Sequence, residues 1–124
     1  MLFTNLPFNI EQTFESITDY WSPKIIGEFN KQYIKIAKLK GEFVWHDHKN
    51  EDELFLIIKG SLSIDFEDQT VHLKEGEGFV VPKGKLHKPH CTDECLVLLI
   101  EPMDTLHTGT VQSKFTKSIG DQLK

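Results

Sequence analysis

The chain has 124 residues and a mass of 14.3 kDa, enough for one domain around a single hydrophobic core. Hydrophobic residues at 39% and charged residues at 27% exclude an intrinsically disordered chain. Acidic side chains number 19 against 14 basic ones, a formal net charge of -5, and every basic one is lysine. A nucleic-acid partner is therefore not expected, because phosphate and base recognition call for a basic face and favour arginine.

The N-terminal stretch MLFTNLPFNIEQTF lacks the basic and long apolar regions of a signal peptide. The longest apolar run, Leu96 to Ile100, is far too short to cross a bilayer, so no membrane partner is expected either. Two cysteines, Cys91 and Cys95, make no disulfide framework, and a cytoplasmic protein with reduced thiols is the expectation.

A helix is predicted over about 9–21. Asn9 suits an N-cap, Gln12 stands three residues later, and Phe14, Ile17, Tyr20 and Trp21 follow at helical spacing before Ser22-Pro23 ends it. From Lys24 onward the period changes to two. Short strands are predicted at Tyr33 to Lys40, Glu53 to Lys59, Ser61 to Glu67, Gln69 to Lys74, Gly78 to Val81, Lys85 to Cys91 and Cys95 to Glu101. Turn residues separate them: Gly41, Lys59-Gly60, Glu67-Asp68, Glu75-Gly76, Lys83-Gly84 and Thr92-Asp93. Many short strands with close turns imply a sandwich or a barrel.

Ser61 to Glu67 alternates, with Leu62, Ile64 and Phe66 on one face. Leu54 to Ile58 and Leu96 to Ile100 are apolar throughout, so both of their faces need cover. One face is the interior; the N-terminal helix or a second subunit must supply the rest, and a homodimer is expected. A three-residue hairpin loop at Thr92 to Glu94 would set Cys91 beside Cys95; a disulfide is then geometrically open, but free thiols are expected.

In the stretch Gly41 to Gly60, His46 and His48 stand two apart, so an extended chain projects both rings from one face, about 7 Å apart. Imidazole nitrogens at that spacing suit one divalent ion. Glu53 opens the following strand, with Phe55 and Ile57 sharing its parity. Glu51 and Asp52 are alternative carboxylates, expected respectively in the turn and on the opposite face. Farther on, Pro82 and Gly84 form a turn and His87 lies three residues beyond it. His90, at an odd offset from His87, His72 and His107 are expected at the surface. Tyr33, Phe43, Phe55 and Phe79 are core or pocket aromatics, and Trp45, facing away from His46, is expected in the core or at an interface.

These stretches resemble the two motifs of the cupin superfamily. His46-Asp47-His48, four residues, Glu53, six residues and Gly60 fit the first, with only the Gly41 to His46 spacing one residue short. Gly76, Pro82, Gly84 and His87 fit the second, whose final position, usually Asn, is Cys91 here. The resemblance implies an all-β cupin jelly-roll barrel with a short N-terminal helix: one domain over 1–124, the barrel at about 24–102 and a C-terminal segment at 103–124. It implies a metal site of His46, His48, Glu53 and His87 holding Fe, Mn, Ni or Zn. Within the superfamily the chain looks most like small mannose-6-phosphate-isomerase-like cupins. The expected activity is that of a metal-dependent isomerase or epimerase on a small polar, sugar- or carboxylate-like ligand. The alternatives are an Fe-dependent dioxygenase and a non-catalytic metal-dependent small-molecule binding protein. Tyr33 and Glu42 are the candidates for a further acid or base.

Overall fold

Asn9 caps the first element, its Oδ1 accepting the Gln12 N–H at 2.8 Å, in a computed structural model that describes residues 6–103, 109, 116 and 118–123. Helix α1 spans Ile10–Glu15, shorter than the predicted 9–21. Ser16 ends it: its Oγ donates to Thr13 O at 2.7 Å, and the β-branched pair Ile17-Thr18 follows. Ile17 and Trp21 are buried all the same, but from irregular chain, with Trp21 at a left-handed φ of 57°. The helical spacing of Phe14, Ile17 and Trp21 thus reflected a common need for burial and not one continuous helix.

Seven strands follow: β1 (Lys24–Phe29), β2 (Gln32–Glu42), β3 (Glu53–Lys59), β4 (Ser61–Phe66), β5 (Thr70–Lys74), β6 (Gly78–Val81) and β7 (His87–Pro102), with a short helix α2 (Ile119–Gln122) after them. All pairings between them are antiparallel, in the order β1-β2-β7-β3-β6, with β4 joined to β5 and β7. The architecture is the mostly β, jelly-roll arrangement expected. β1 is a strand that the sequence alone did not delimit. It pairs with β2 through Asn30-Lys31, whose φ values of 48° and 62° make a two-residue turn of the I′ kind without the usual glycine. Among the described residues no helix is long and apolar enough to cross a membrane.

The predicted break at Thr92-Asp93 does not occur. β7 is one strand of 16 residues. Its first part pairs with β4, from Phe66↔His87 to Ser63↔His90, and its second part runs between β2 and β3. Cys91 to Cys95 spans four residues against the two from Gly41 to Leu39, so Thr92 to Glu94 bulge outward, exposed, where the strand changes partner from β4 to β3. Cys91 and Cys95 are therefore free thiols on one strand, both buried, and cannot face each other across a hairpin.

Burial follows the predicted parity. Phe55, Ile57, Leu62, Ile64, Phe66, Val97 and Leu99 fill the barrel interior together with Trp21 and Phe43. On the outer face Phe14 of α1, with Ile17, packs against Ile36 and Leu98 and half-covers Leu56, Ile58, Leu96 and Ile100. The N-terminal helix thus supplies much of the second cover that the all-apolar strands require. At the β3–β4 turn, Gly60 has φ 88° and a Cβ there would stand 2.8 Å from the Glu94 carbonyl oxygen, so only glycine closes this corner without displacement.

Candidate metal centre

The two histidine-bearing segments are stitched together by backbone. His46 N–H donates to His87 O and His87 N–H to His46 O, both at 2.9 Å, and Gly84 N–H donates to His48 O at 2.7 Å. Glu53 enters at the first position of β3 with its side chain on the same inward face as Phe55 and Ile57. His46, His48, Glu53 and His87 are all buried, and one potential ligand atom from each lies within 4.8 Å of the others. Glu53 Oε1 stands 3.5 Å from His48 Nε2 and 3.7 Å from His87 Nε2. Those separations exceed hydrogen bonds and match donors arranged about one ion at about 2.0–2.4 Å from each.

The ring orientations are set from behind. His46 Nδ1–H donates to Val44 O at 2.9 Å and His87 Nδ1–H to Lys85 O at 2.8 Å, which leaves each Nε2 as the lone-pair nitrogen facing inward. His48 Nε2, His87 Nε2 and Glu53 Oε1 are buried without a hydrogen-bond partner. Three converging orphaned atoms are costly in an apolar interior, and a divalent cation would satisfy all of them. The donor set fits a transition ion.

Burial, then the nearby His87, lowers the His46 pKa from 6.5 to about 4, so this ring stays neutral and ready to ligate. Burial opposes a charge on His48 too, but the facing Glu53 carboxylate outweighs it and raises that pKa above 6.5. For Glu53 burial works against ionisation, yet the His48 and His87 rings hold its carboxyl well below the ordinary range.

The remaining candidates separate from the centre. Asp52 Oδ1 accepts the Lys83 N–H at 2.9 Å and so fastens the Pro82-Gly84 turn, while Glu51 accepts from Asn50 N–H. His90 Nε2 lies 3.0 Å from Asp65 Oδ1 on the outer surface, and exposed His72 pairs with Ser63 Oγ at 2.8 Å. Glu42 is exposed and bound to Lys88, which removes it as an acid or base for the interior. Tyr33 is buried and stands opposite Glu101 in the β2–β7 ladder. His107 lies outside the described residues. Gly109, at φ 60°, backs onto the Asp47 carbonyl, where any Cβ would collide, so Gly109 lies against the loop that carries His46 and His48.

Beside His46 and Glu53 lies a cavity of about 30 Å³ with apolar walls that include Trp21, Leu39, Phe43, Phe55, Val97 and Leu99. Trp21 was expected on a helix; it stacks on Phe43 with centroids 4.7 Å apart and an 11° interplanar angle. Phe43 in turn meets His46 edge-on at 5.3 Å. Trp45 is 41% exposed, turned away from His46 as parity required.

Sequence reasoning overlooked Lys35 and Glu101. Both are fully buried, and Lys35 Nζ lies 2.8 Å from Glu101 Oε1. Glu101 stands beside Glu53 on the neighbouring strand, one position beyond the Leu54–Ile100 pair, and burial followed by the Glu53 charge pushes its pKa up to about 8. The signal was parity: Lys35 shares a face with Ala37 and Leu39, and Glu101 with Val97 and Leu99, all of them buried on neighbouring strands.

Comparison with known proteins agrees with the geometry. Residues 33–101 match the cupin domain family, and the chain belongs to it. A cupin-2 domain protein from Shewanella frigidimarina is 43% identical with a TM-score of 0.75, over 77% of this chain and 93% of that one. A Neisseria meningitidis protein is 33% identical with a TM-score of 0.73, over 78% of this chain and 99% of that one. Among curated proteins, YdbB of Bacillus subtilis is 36% identical over 77 residues, 61% of this chain and 68% of that protein.

Proposed function

We propose that His46, His48, Glu53 and His87 hold one divalent transition ion and that the chain is a metal-dependent enzyme acting on a small molecule at that centre. The observation that carries this reading is the convergence of three buried, partnerless ligand atoms, His48 Nε2, His87 Nε2 and Glu53 Oε1. Bound there, the ion would supply Lewis acidity or, as iron, activation of dioxygen. The protein's share is to keep His46 neutral, to fix two rings through the Val44 and Lys85 carbonyls, and to exclude water with Trp21, Phe43 and Phe55.

Among the expected activities, the cavity favours an Fe-dependent dioxygenase over an isomerase or epimerase. Isomerisation moves protons through a side-chain base, and among the described residues the titratable groups lining the cavity are His46 and Glu53, both in the ligand set. The apolar space of about 30 Å³ beside the centre has room for a diatomic molecule such as dioxygen and not for a sugar phosphate. The free thiols support a cytoplasmic location. The test loads metal-free protein with Fe(II) anaerobically and adds O₂ with a panel of catechols, 1,3-dicarbonyls and sugar phosphates. O₂ uptake driven by a catechol or dicarbonyl is the expected result. Sugar interconversion without O₂ uptake would restore the isomerase, and saturable binding without turnover would make the chain a metal-dependent binding protein.

A further inference from the structure

Outside the four candidate ligands, Lys35 and Glu101 stand apart from every other charged residue described. Among the described residues the buried charged side chains are these two and Glu53, and all three meet in one cluster with the histidines. Taking a lysine and a glutamate out of water costs several kcal/mol per ion, and an apolar pair of similar size commonly packs as well or better. The same barrel layer fills its other inward positions with Ala37, Phe55, Val97 and Leu99, so an apolar solution was open here too. Fold stability alone therefore does not account for the pair.

Its placement does. Lys35 lies on β2 and Glu101 on β7, the two strands with the longest ladder in the sheet. Lys35 Nζ holds Glu101 Oε1 at 2.8 Å, and Glu101 stands beside Glu53 on the neighbouring strand β3, one position beyond the Leu54–Ile100 pair. Glu53 meanwhile presents Oε1 to His48 and His87 at 3.5 and 3.7 Å. The carboxylate ligand is thus braced from behind by a group that is itself anchored, as the two histidine rings are braced by the carbonyls of Val44 and Lys85.

We propose that Lys35 and Glu101 are a positioning pair for the metal centre, holding the Glu53 carboxylate with Oε1 toward the imidazoles. The proposal rests on the reading of the four residues as a metal site. Neither residue lines the described cavity wall, so the pair acts through Glu53 and not on substrate.

Two variants of the full chain test it, with Co(II) absorption and Zn(II) calorimetry as readouts on metal-free protein. Lys35→Met/Glu101→Leu removes both charges without stranding either and leaves Glu53 unbraced. It is expected to bind Zn(II) about 10- to 100-fold more weakly, with a shifted Co(II) visible spectrum, while its metal-free melting point is not lowered. Glu101→Gln can accept from Lys35 and donate an amide N–H toward Glu53, so it should keep Zn(II) affinity within about threefold and a wild-type Co(II) spectrum. Wild-type affinity and spectrum in the double variant would overturn the proposal. If the double variant does not fold, Glu101→Gln decides: a loss greater than about tenfold overturns it. Wild-type protein that binds neither ion would instead overturn the metal centre itself.

Discussion

His87 and His90 stand three residues apart on β7 and have opposite fates. His87 points inward with its Nδ1–H tied to Lys85 O, while His90 is half-buried on the outside against Asp65 at 3.0 Å. A metal that binds the folded barrel alone stabilises it by about 2.7 kcal/mol at a hundredfold excess over Kd, several degrees of melting temperature for a domain of this size. Chelator should therefore lower the melting point of wild type and of His90→Ala, and have little effect on His87→Ala; calorimetric scans with and without chelator check this. The pH dependence follows from His48. In the metal-free fold its pKa is raised above 6.5 by Glu53, so its stabilising contribution is fully present below 6.5 and is lost as pH rises through the folded value. His46 has the opposite sign: lowered to about 4, it costs stability as pH falls from 6.5, because the unfolded chain gains the proton that the folded ring refuses. Ligation needs both rings neutral, so at pH 6.5 metal uptake must expel a proton from His48. Binding enthalpy at that pH should depend on the ionisation enthalpy of the buffer and lose that dependence well above it. Equal enthalpies in phosphate-free buffers of different ionisation heat at pH 6.5 would contradict this account.

At the scale of elements, β7 explains both what the sequence disclosed and what it hid. His46, His48, Glu53 and His87 are legible because each is a strand or turn residue at a spacing that only local geometry has to honour. Glu53 and His87 even begin β3 and β7. Lys35 and Glu101 are harder to see, since a lysine or glutamate in a strand is ordinarily solvated and only the pairing of β2 with β7 puts both inside. Thr92-Asp93 reads as a turn in isolation, yet pairing with β2 on either side of it, at Cys91 and Cys95, keeps β7 one strand around a bulge. The same continuity fixes the thiols. Burial raises Cys91 to about 11 and, together with Cys91 nearby, Cys95 to about 12, so neither is a nucleophile near neutrality. A thiol reagent at pH 8 should find almost no reactive cysteine in the folded protein and two in denaturant; one fast-reacting equivalent in the native state would contradict the burial.

For the whole molecule, the apolar parity of Leu54 to Ile58 and Leu96 to Ile100 demanded two covers, and α1 provides one of them with Phe14. One edge of that sheet is β6, where Val80 is 53% exposed and, among the described residues, the strand pairs with β3 alone. A strand edge with an exposed apolar side chain can pair with a second copy, and we propose a homodimer joined along β6. Light scattering at micromolar concentration should give twice the monomer mass, and Val80→Lys should return the monomer. A monomer mass for the wild type would leave β6 a solvent-facing edge.

The chain has two tryptophans, and the fold gives them separate surroundings. Trp21 is sealed against Phe43, which touches His46, whereas Trp45 lies in solvent beneath the Lys88 ammonium. Excited with ultraviolet light, the buried indole should emit at shorter wavelength and lie two ring contacts from any ion on His46. Paramagnetic Co(II) or Ni(II) should therefore darken Trp21 first and leave the redder light of Trp45, while iodide should do the reverse. Occupancy of the proposed centre should therefore be readable from the protein's own light, without a label.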